Sequence, residues 1–334
     1  MTALAPHLSA YLREHLPRER AVSPHTVKTY ANCFVLLVQF AADRLKRRPT
    51  DLEVEDLDTD MIMAFLDHVE IGRGSCVRTR NGRLAAIRSF FRYIEYRIPA
   101  CLDQALRVRA IPTKKTDKAL IDYLDRAEIK ALLDTPDPRT RLGTRDRAML
   151  HLTYAGGLRV SELVTLQLGD FPDRSLSTMH IMGKGRRERV LPLWKETQIA
   201  LRAWLAIRPQ VEVTEIFLNA NGQPMTRDGF AFRLAEHVKT AATKQPSILK
   251  KRVTPHVLRH SCAMHTLAAT GDIRKVALWL GHASIQSTET YLRADPEEKL
   301  QILAAHGAPA IKPGRFKPPS DALITMLTDV RRRA

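Results

Sequence analysis

Apolar residues return every three or four positions between residues 27 and 45 (Val27, Tyr30, Phe34, Leu37, Val38, Ala41, Leu45), which lays one stripe along a helix. Ser23-Pro24 starts it, the serine hydroxyl taking a free backbone N–H and the proline fitting the first turn. The same period predicts a shorter helix over 58–69, with Met61, Ile62, Phe65, Leu66 and Val69 inward. A longer helix capped by Ser75 follows, with Leu84, Ile87, Phe90, Phe91 and Ile94 inward. Residues 1–106 therefore read as an all-helical unit. Its last outer face is crowded with arginine (Arg73, Arg78, Arg80, Arg83, Arg88, Arg92, Arg97) against one acid, Glu95. A face meant only for solubility mixes its signs, so this one predicts contact with a DNA backbone.

Over residues 107–118 (RVRAIPTKKTDK) the period is lost and Pro112 interrupts a strongly basic run. That composition predicts a linker tracking phosphates, with Lys114 and Lys115 among its contacts. A second unit, 119–300, opens with Asp125 as cap for a helix over 126–133. A helix over 145–154 is ended by Gly156-Gly157 just before Arg159. Two alternating runs, 178–181 and 189–193, flank Gly183-Lys184-Gly185 and predict a β-hairpin, with Arg186 and Arg187 adding positive charge beside the turn. Helices resume near Glu196. Thr254-Pro255 opens the helix bearing His256 and Arg259, Gly271 closes it, and Gly281 closes the next. The tail, 301–334, carries a loose basic segment and then a helix capped by Ser320 with Leu323, Ile324, Leu327 and Val330 on one side. Too short to stand alone, that helix must dock somewhere, its own domain and a neighbouring protomer being the two places open to it.

Composition narrows the partner. Lys plus Arg number 53 against 36 Asp plus Glu, a net charge of +17 over 334 residues that favours a polyanion and a salt-dependent affinity. The length suggests two domains. No apolar run approaches the roughly 20 residues of a membrane span, and the N-terminus lacks a basic-then-apolar signal, so the expectation is a cytoplasmic protein with no membrane partner. Cys33, Cys76, Cys101 and Cys262 are scattered without a CxxC pair, which points away from a zinc knuckle or a disulfide framework.

His256 and Arg259 stand three apart on one helix and share a face. Arginine presents a planar fork matched to phosphate oxygens, and histidine can add a hydrogen bond or move a proton. Arg159 follows a double glycine whose bend brings a helix start near a site, and Glu162, three residues on, can hold a neighbouring side chain in place. Lys184, at a glycine-flanked hairpin tip, has a stem long enough to deliver an ammonium as general acid. Tyr291 is a weak nucleophile at its ordinary pKa of about 10, and a cluster of positive charge is the help it needs to attack phosphorus. A zinc reading of His256, His260, Cys262 and His265 fails on the motif, because a zincin needs Glu after its first His and this chain has Val257. No GxxxxGK[ST] is present either. The reaction expected needs neither metal nor nucleotide cofactor.

In that order and spacing, Arg159, Lys184, His256, Arg259, His282 and Tyr291, set in GLRVSEL, GKGRRERVLPL, TPHVLRHSCA and WLGHASIQSTETY, resemble the tyrosine recombinases, or phage-integrase family. SPHTVKTYANCF and TRNGRLAAIRSFFRYI resemble that family's SAM-like core-binding domain. The resemblance implies a mainly α fold with a small β-hairpin: an N-terminal helical core-binding domain and a C-terminal α+β catalytic domain closing around DNA. It implies that Tyr291 forms a 3′-phosphotyrosyl bond, Arg159 and Arg259 clamp the scissile phosphate, and Lys184 protonates the 5′-hydroxyl leaving group. His256 would transfer a proton, His282 would bond the phosphate, and Glu162 fits a supporting acidic position. The implied partner is double-stranded DNA with inverted half-sites, bound by a dimer per site and a tetramer in synapsis through a Holliday junction, or together with a paralogous recombinase. The expectation is that no extra N-terminal arm-binding domain precedes the core-binding unit, which resembles the compact Xer-type and transposon-borne members more than lambda-type integrases. A mobile-element integrase is the first expectation and dimer resolution the second. A topoisomerase IB-like nicking enzyme and a non-catalytic DNA-binding regulator are the alternatives.

Overall fold

The computed structural model describes residues 2–117, 120–173, 175–183, 187–282, 284–294, 326–327, 329 and 331–332; side chains of 187, 293 and 294 are outside the description. Chain contacts divide it into two units, 1–118 and 119–334.

In the first unit α1 (Leu4–Ala10) runs into a π-helical segment, Tyr11–Glu19. In α2 (Pro24–Leu45) the Ser23 hydroxyl accepts the Thr26 N–H as expected, and α3 (Thr59–Asp67) is capped by Asp58. Then come α4 (Val77–Arg97) and α5 (Leu102–Ala110). The inward residues expected on α3 and α4 are all buried, and Tyr11, Phe34, Phe90 and Tyr93 form an aromatic cluster between helices. Three expectations need correction. The cap of α4 is Cys76, not Ser75, and it makes no side-chain cap bond. Leu45 is exposed at the end of its stripe. The linker does not begin at 107, because α5 continues to Ala110, with Ala105 and Val108 buried in the core.

The arginine face also divides. Arg80 is only 1% exposed and donates to the Pro112 carbonyl at 3.2 Å, while Arg88 donates to the Ile111 carbonyl. Asn81 bonds the Lys114 backbone in both directions, at 2.8 and 3.1 Å, and Lys114 pairs with Glu70 at 2.8 Å. A buried guanidinium left without an acceptor would be costly, so these arginines tie the chain after α5 back onto α4. Arg80 is thus buried in a structural contact, while Arg78, Arg92 and Lys115 remain exposed.

The second unit contains α6 (Arg126–Leu133), α7 (Arg141–Ala155) and α8 (Val160–Val164). Asp125 and Glu128 form a capping box on α6, and α7 starts four residues earlier than expected because Thr140 caps it. Strands β1 (Thr178–Gly183) and β2 (Arg187–Pro192) pair antiparallel, Thr178 opposite Pro192 and Gly183 opposite Arg187. They form the single sheet among the described residues. Lys184, Gly185 and Arg186 lie outside the described residues. After α9 (Lys195–Ile207) and α10 (Arg227–Ala241) come α11 (Pro255–Thr270), α12 (Ile273–Leu280) and α13 (Glu289–Ala294). Gly271 and Gly281 end α11 and α12 in the left-handed region, as the sequence predicts. Of the tail stripe, Ser320, Leu323, Ile324 and Val330 lie outside the described residues, and Leu327 is exposed. Among the described residues no helix is long and apolar enough to cross a membrane.

Candidate active site

The turn between α7 and α8 sets the floor of the site. Gly157 adopts φ +54°, and a Cβ there would fall 2.5 Å from the Leu280 side chain. Only glycine allows that backbone so close to α12, and it leaves the Gly157 carbonyl free to accept a bond from Arg259. Arg259 projects from α11, is 1% exposed, and donates its other terminal nitrogen to the Leu280 carbonyl at 2.8 Å. One arginine thereby joins the ends of α7 and α12.

Glu162, on the first turn of α8, gathers the cations. It accepts the Arg159 backbone N–H at 3.0 Å and Arg159 Nη1 at 2.6 Å. Arg189 of β2 donates to both carboxylate oxygens at 2.8 and 3.3 Å, and Arg259 Nη1 stands 3.9 Å away. Burial by itself would raise the Glu162 carboxyl, but the bonds and charge of Arg189 and Arg159 hold it below its usual range. Burial, and then the like charge of Arg159, lowers Arg259 to about 10. Three guanidiniums against one carboxylate leave an excess of positive charge, the electrostatics of an anion site.

Around this charge stand three histidines and Tyr291. The Tyr291 hydroxyl lies 3.0 Å from His260 Nδ1, and the side chain is 2% exposed. His282 stacks on the Tyr291 ring at 6.3 Å between centroids and holds its Nδ1 2.7 Å from the buried Thr288 hydroxyl. His256 is exposed and meets the His260 ring edge to face at 4.4 Å. Burial first, then neighbouring cations, lowers His260 and His282 to about 4 and moves His256 down as well. All three are neutral near neutral pH and have lone pairs to offer.

The structure thus brings Arg159, Glu162, His256, Arg259, His282 and Tyr291 together; Lys184 and Arg186 lie outside the described residues, as does the Arg187 side chain. The arginines near Tyr291 lower its phenol, but burial is the larger effect and the net result is a rise to about 12. Three members were not recognised from sequence. Arg189 shares the inward face of its strand with the buried Leu191, so period-two spacing marks it as a buried charge in need of a partner. His260 lies one helical turn beyond His256 on the same face. Thr288 has no local signal.

In the first unit Arg20, Arg88, Arg92 and Arg109, with Tyr30 and Tyr96, line a cavity of about 460 Å³.

Residues 122–298 match the phage integrase family, and residues 8–97 match the phage integrase N-terminal SAM-like domain. The inferred integrase/recombinase y4rC of Sinorhizobium fredii is 39% identical over 328 residues, 98% of each chain. Tyrosine recombinase XerC of Myxococcus xanthus is 35% identical over 310 residues, 90% of this chain and 97% of that one. Among solved structures, the XerH recombinase on palindromic difH, a post-cleavage complex, has the same fold, with a TM-score of 0.66 at 21% identity over 89% of this chain and 84% of that one.

Proposed function

This chain belongs to the phage integrase family of tyrosine recombinases, and from that membership and the site geometry we propose how it cleaves and rejoins DNA. The observation that carries the reading is a buried tyrosine hydroxyl held by a neutral histidine beside three arginines that share one carboxylate. Tyr291 Oη attacks the scissile phosphorus and forms a 3′-phosphotyrosyl bond while the P–O5′ bond breaks. Arg159 and Arg259 hold the non-bridging oxygens, where positive groups already in place act most strongly on the transition state. Thr288 donating to His282 Nδ1 would leave the His282 proton on Nε2 for a phosphate oxygen. His256, exposed at the same face, serves proton transfer, and Lys184 protonates the departing 5′-oxygen. The free 5′-hydroxyl of a second strand then reverses the step, so bond energy is conserved through a Holliday junction.

Duplex DNA with inverted half-sites is the substrate. Arg88, Arg92 and their cavity neighbours, together with Arg78, Arg83, Lys115, Arg186 and Arg187, supply backbone contacts in this reading; Lys114, already paired with Glu70, contributes less. Two protomers occupy a site and four meet in synapsis. An apolar cavity of about 460 Å³ lined by Tyr154, Trp194, Leu278 and Trp279, with Leu278 79% exposed, suits the tail helix of a second copy. The division proposed is a core-binding domain, a catalytic domain to about residue 300 and a docking tail. The likeness to y4rC over nearly its whole length favours recombination for a mobile element. The likeness to XerC keeps dimer resolution as the second reading.

A suicide duplex nicked beside the cleavage point tests the chemistry on a denaturing gel. Wild type should form a covalent adduct, and Tyr291→Phe should bind the duplex equally yet form none. An adduct surviving in that variant would end the assignment. Truncation after Gly314 should spare binding to one half-site and weaken cooperative filling of the second. In cells, adducts mapping to the ends of the element that carries the gene favour integration, and a single chromosomal locus favours dimer resolution.

A further inference from the structure

We propose that His260 is the base that takes the Tyr291 proton, and that the arriving scissile phosphate is what makes it competent. This rests on the reading that Tyr291 cleaves DNA. Among the described residues His260 is the one group hydrogen-bonded to the hydroxyl, at 3.0 Å, a distance at which a proton can move. His256 touches the His260 ring and not Tyr291, and His282 meets Tyr291 ring to ring while its Nδ1 is occupied by Thr288. At 2% exposure the tyrosine has little contact with bulk water, so near neutral pH the histidine beside it is the readiest acceptor.

The groups facing His260 explain the timing. His256 and Arg259 flank it on α11, His282 approaches from beyond α12, and Tyr291 comes from α13. Burial first, and then His256 and Arg259 beside it, disfavours an imidazolium at His260, and burial of the phenol keeps the proton on Tyr291. A phosphodiester seated on Arg159 and Arg259 brings a negative charge that offsets both arginines and stabilises a cation at His260. The proton then passes from Oη to Nδ1, the Oη–P bond forms, and the P–O5′ bond breaks with its electron pair leaving on the 5′-oxygen. On rejoining, His260 returns the proton to Oη. The nucleophile is therefore deprotonated only when substrate is present.

Single-turnover adduct formation on the nicked duplex, followed from mildly acidic to alkaline pH, tests this. Asparagine sets an amide oxygen near the position of Nδ1, so His260→Asn keeps an acceptor for the phenol without a basic site. Expected is half-site binding like wild type, adduct formation about 100-fold slower near neutral pH, and a gap that narrows as pH rises and solvent base takes over. A His260→Asn rate within a few fold of wild type, or a deficit equal at every pH, would overturn the proposal. Should the variant fail to bind, the unaltered enzyme decides on a 5′-bridging phosphorothiolate substrate, whose leaving group needs no proton. Slower cleavage in D2O then supports proton transfer from Tyr291, and equal rates overturn it. Wild type forming no adduct at all would remove the Tyr291 reading and this proposal together, which a defect confined to His260→Asn would not.

Discussion

Glu162→Gln removes one charge and almost no volume, which isolates what the buried carboxylate contributes. Five contacts converge on it: 3.0 and 2.6 Å from Arg159, 2.8 and 3.3 Å from Arg189, and 3.9 Å from Arg259. An amide keeps one acceptor oxygen but turns an NH2 toward guanidinium donors, leaving Arg189 buried without a counter-charge. Breaking a buried pair by removing one partner costs about 3–5 kcal/mol, and the retained acceptor places the expected loss near the lower end. For a domain of this size, about 3 kcal/mol lowers Tm by roughly 6–12 °C. The sign of the pH dependence follows from the depressed Glu162 carboxyl. The stability it supplies is present above the unfolded carboxylate pKa and is lost as pH falls through the folded value. Thermal melts of variant and wild type should therefore differ most near neutral pH and converge below about pH 4. Adduct formation should fall at least about tenfold as Arg159 and Arg259 lose their fixed positions. Equal melting near neutral pH, or a difference that persists in acid, would refute the view that Glu162 acts as their shared counter-charge.

Arg259→Ala should slow adduct formation by at least about 100-fold. It should also lower Tm, because the Gly157 and Leu280 carbonyls lose their donor. Gly157→Ala should destabilise the catalytic unit by more than about 1 kcal/mol, visible in urea melts, since its φ is +54° and its new methyl meets Leu280. His260 and His282 are depressed to about 4, so the unfolded chain binds protons first as pH falls below about 6.5. Stability should decline between that pH and about 4, and His260→Asn should flatten the decline.

How far the chain could be read from its letters depended on whether the cause was local. Ser23-Pro24, Asp58 and Asp125 start helices through bonds spanning three residues, and Gly271 and Gly281 end them through a backbone region other residues avoid. Those need no knowledge of the rest of the molecule. The same holds for His256 and Arg259, whose common face is a consequence of 3.6 residues per turn. The uses of individual arginines were different. Arg80 and Arg92 lie on one helix with similar neighbours in sequence, yet Arg80 is sealed against the Pro112 carbonyl while Arg92 is exposed, because only packing decides where the segment after α5 returns. Arg189 became a partner of Glu162 when β2 came beside α8, and Gly281 made the room, since a Cβ there would fall 2.8 Å from the guanidinium. The arginines beside Tyr291 would by themselves acidify it. Its pKa rises instead, because desolvation depends on what surrounds a side chain in three dimensions, and no spacing of residues along the chain encodes that enclosure.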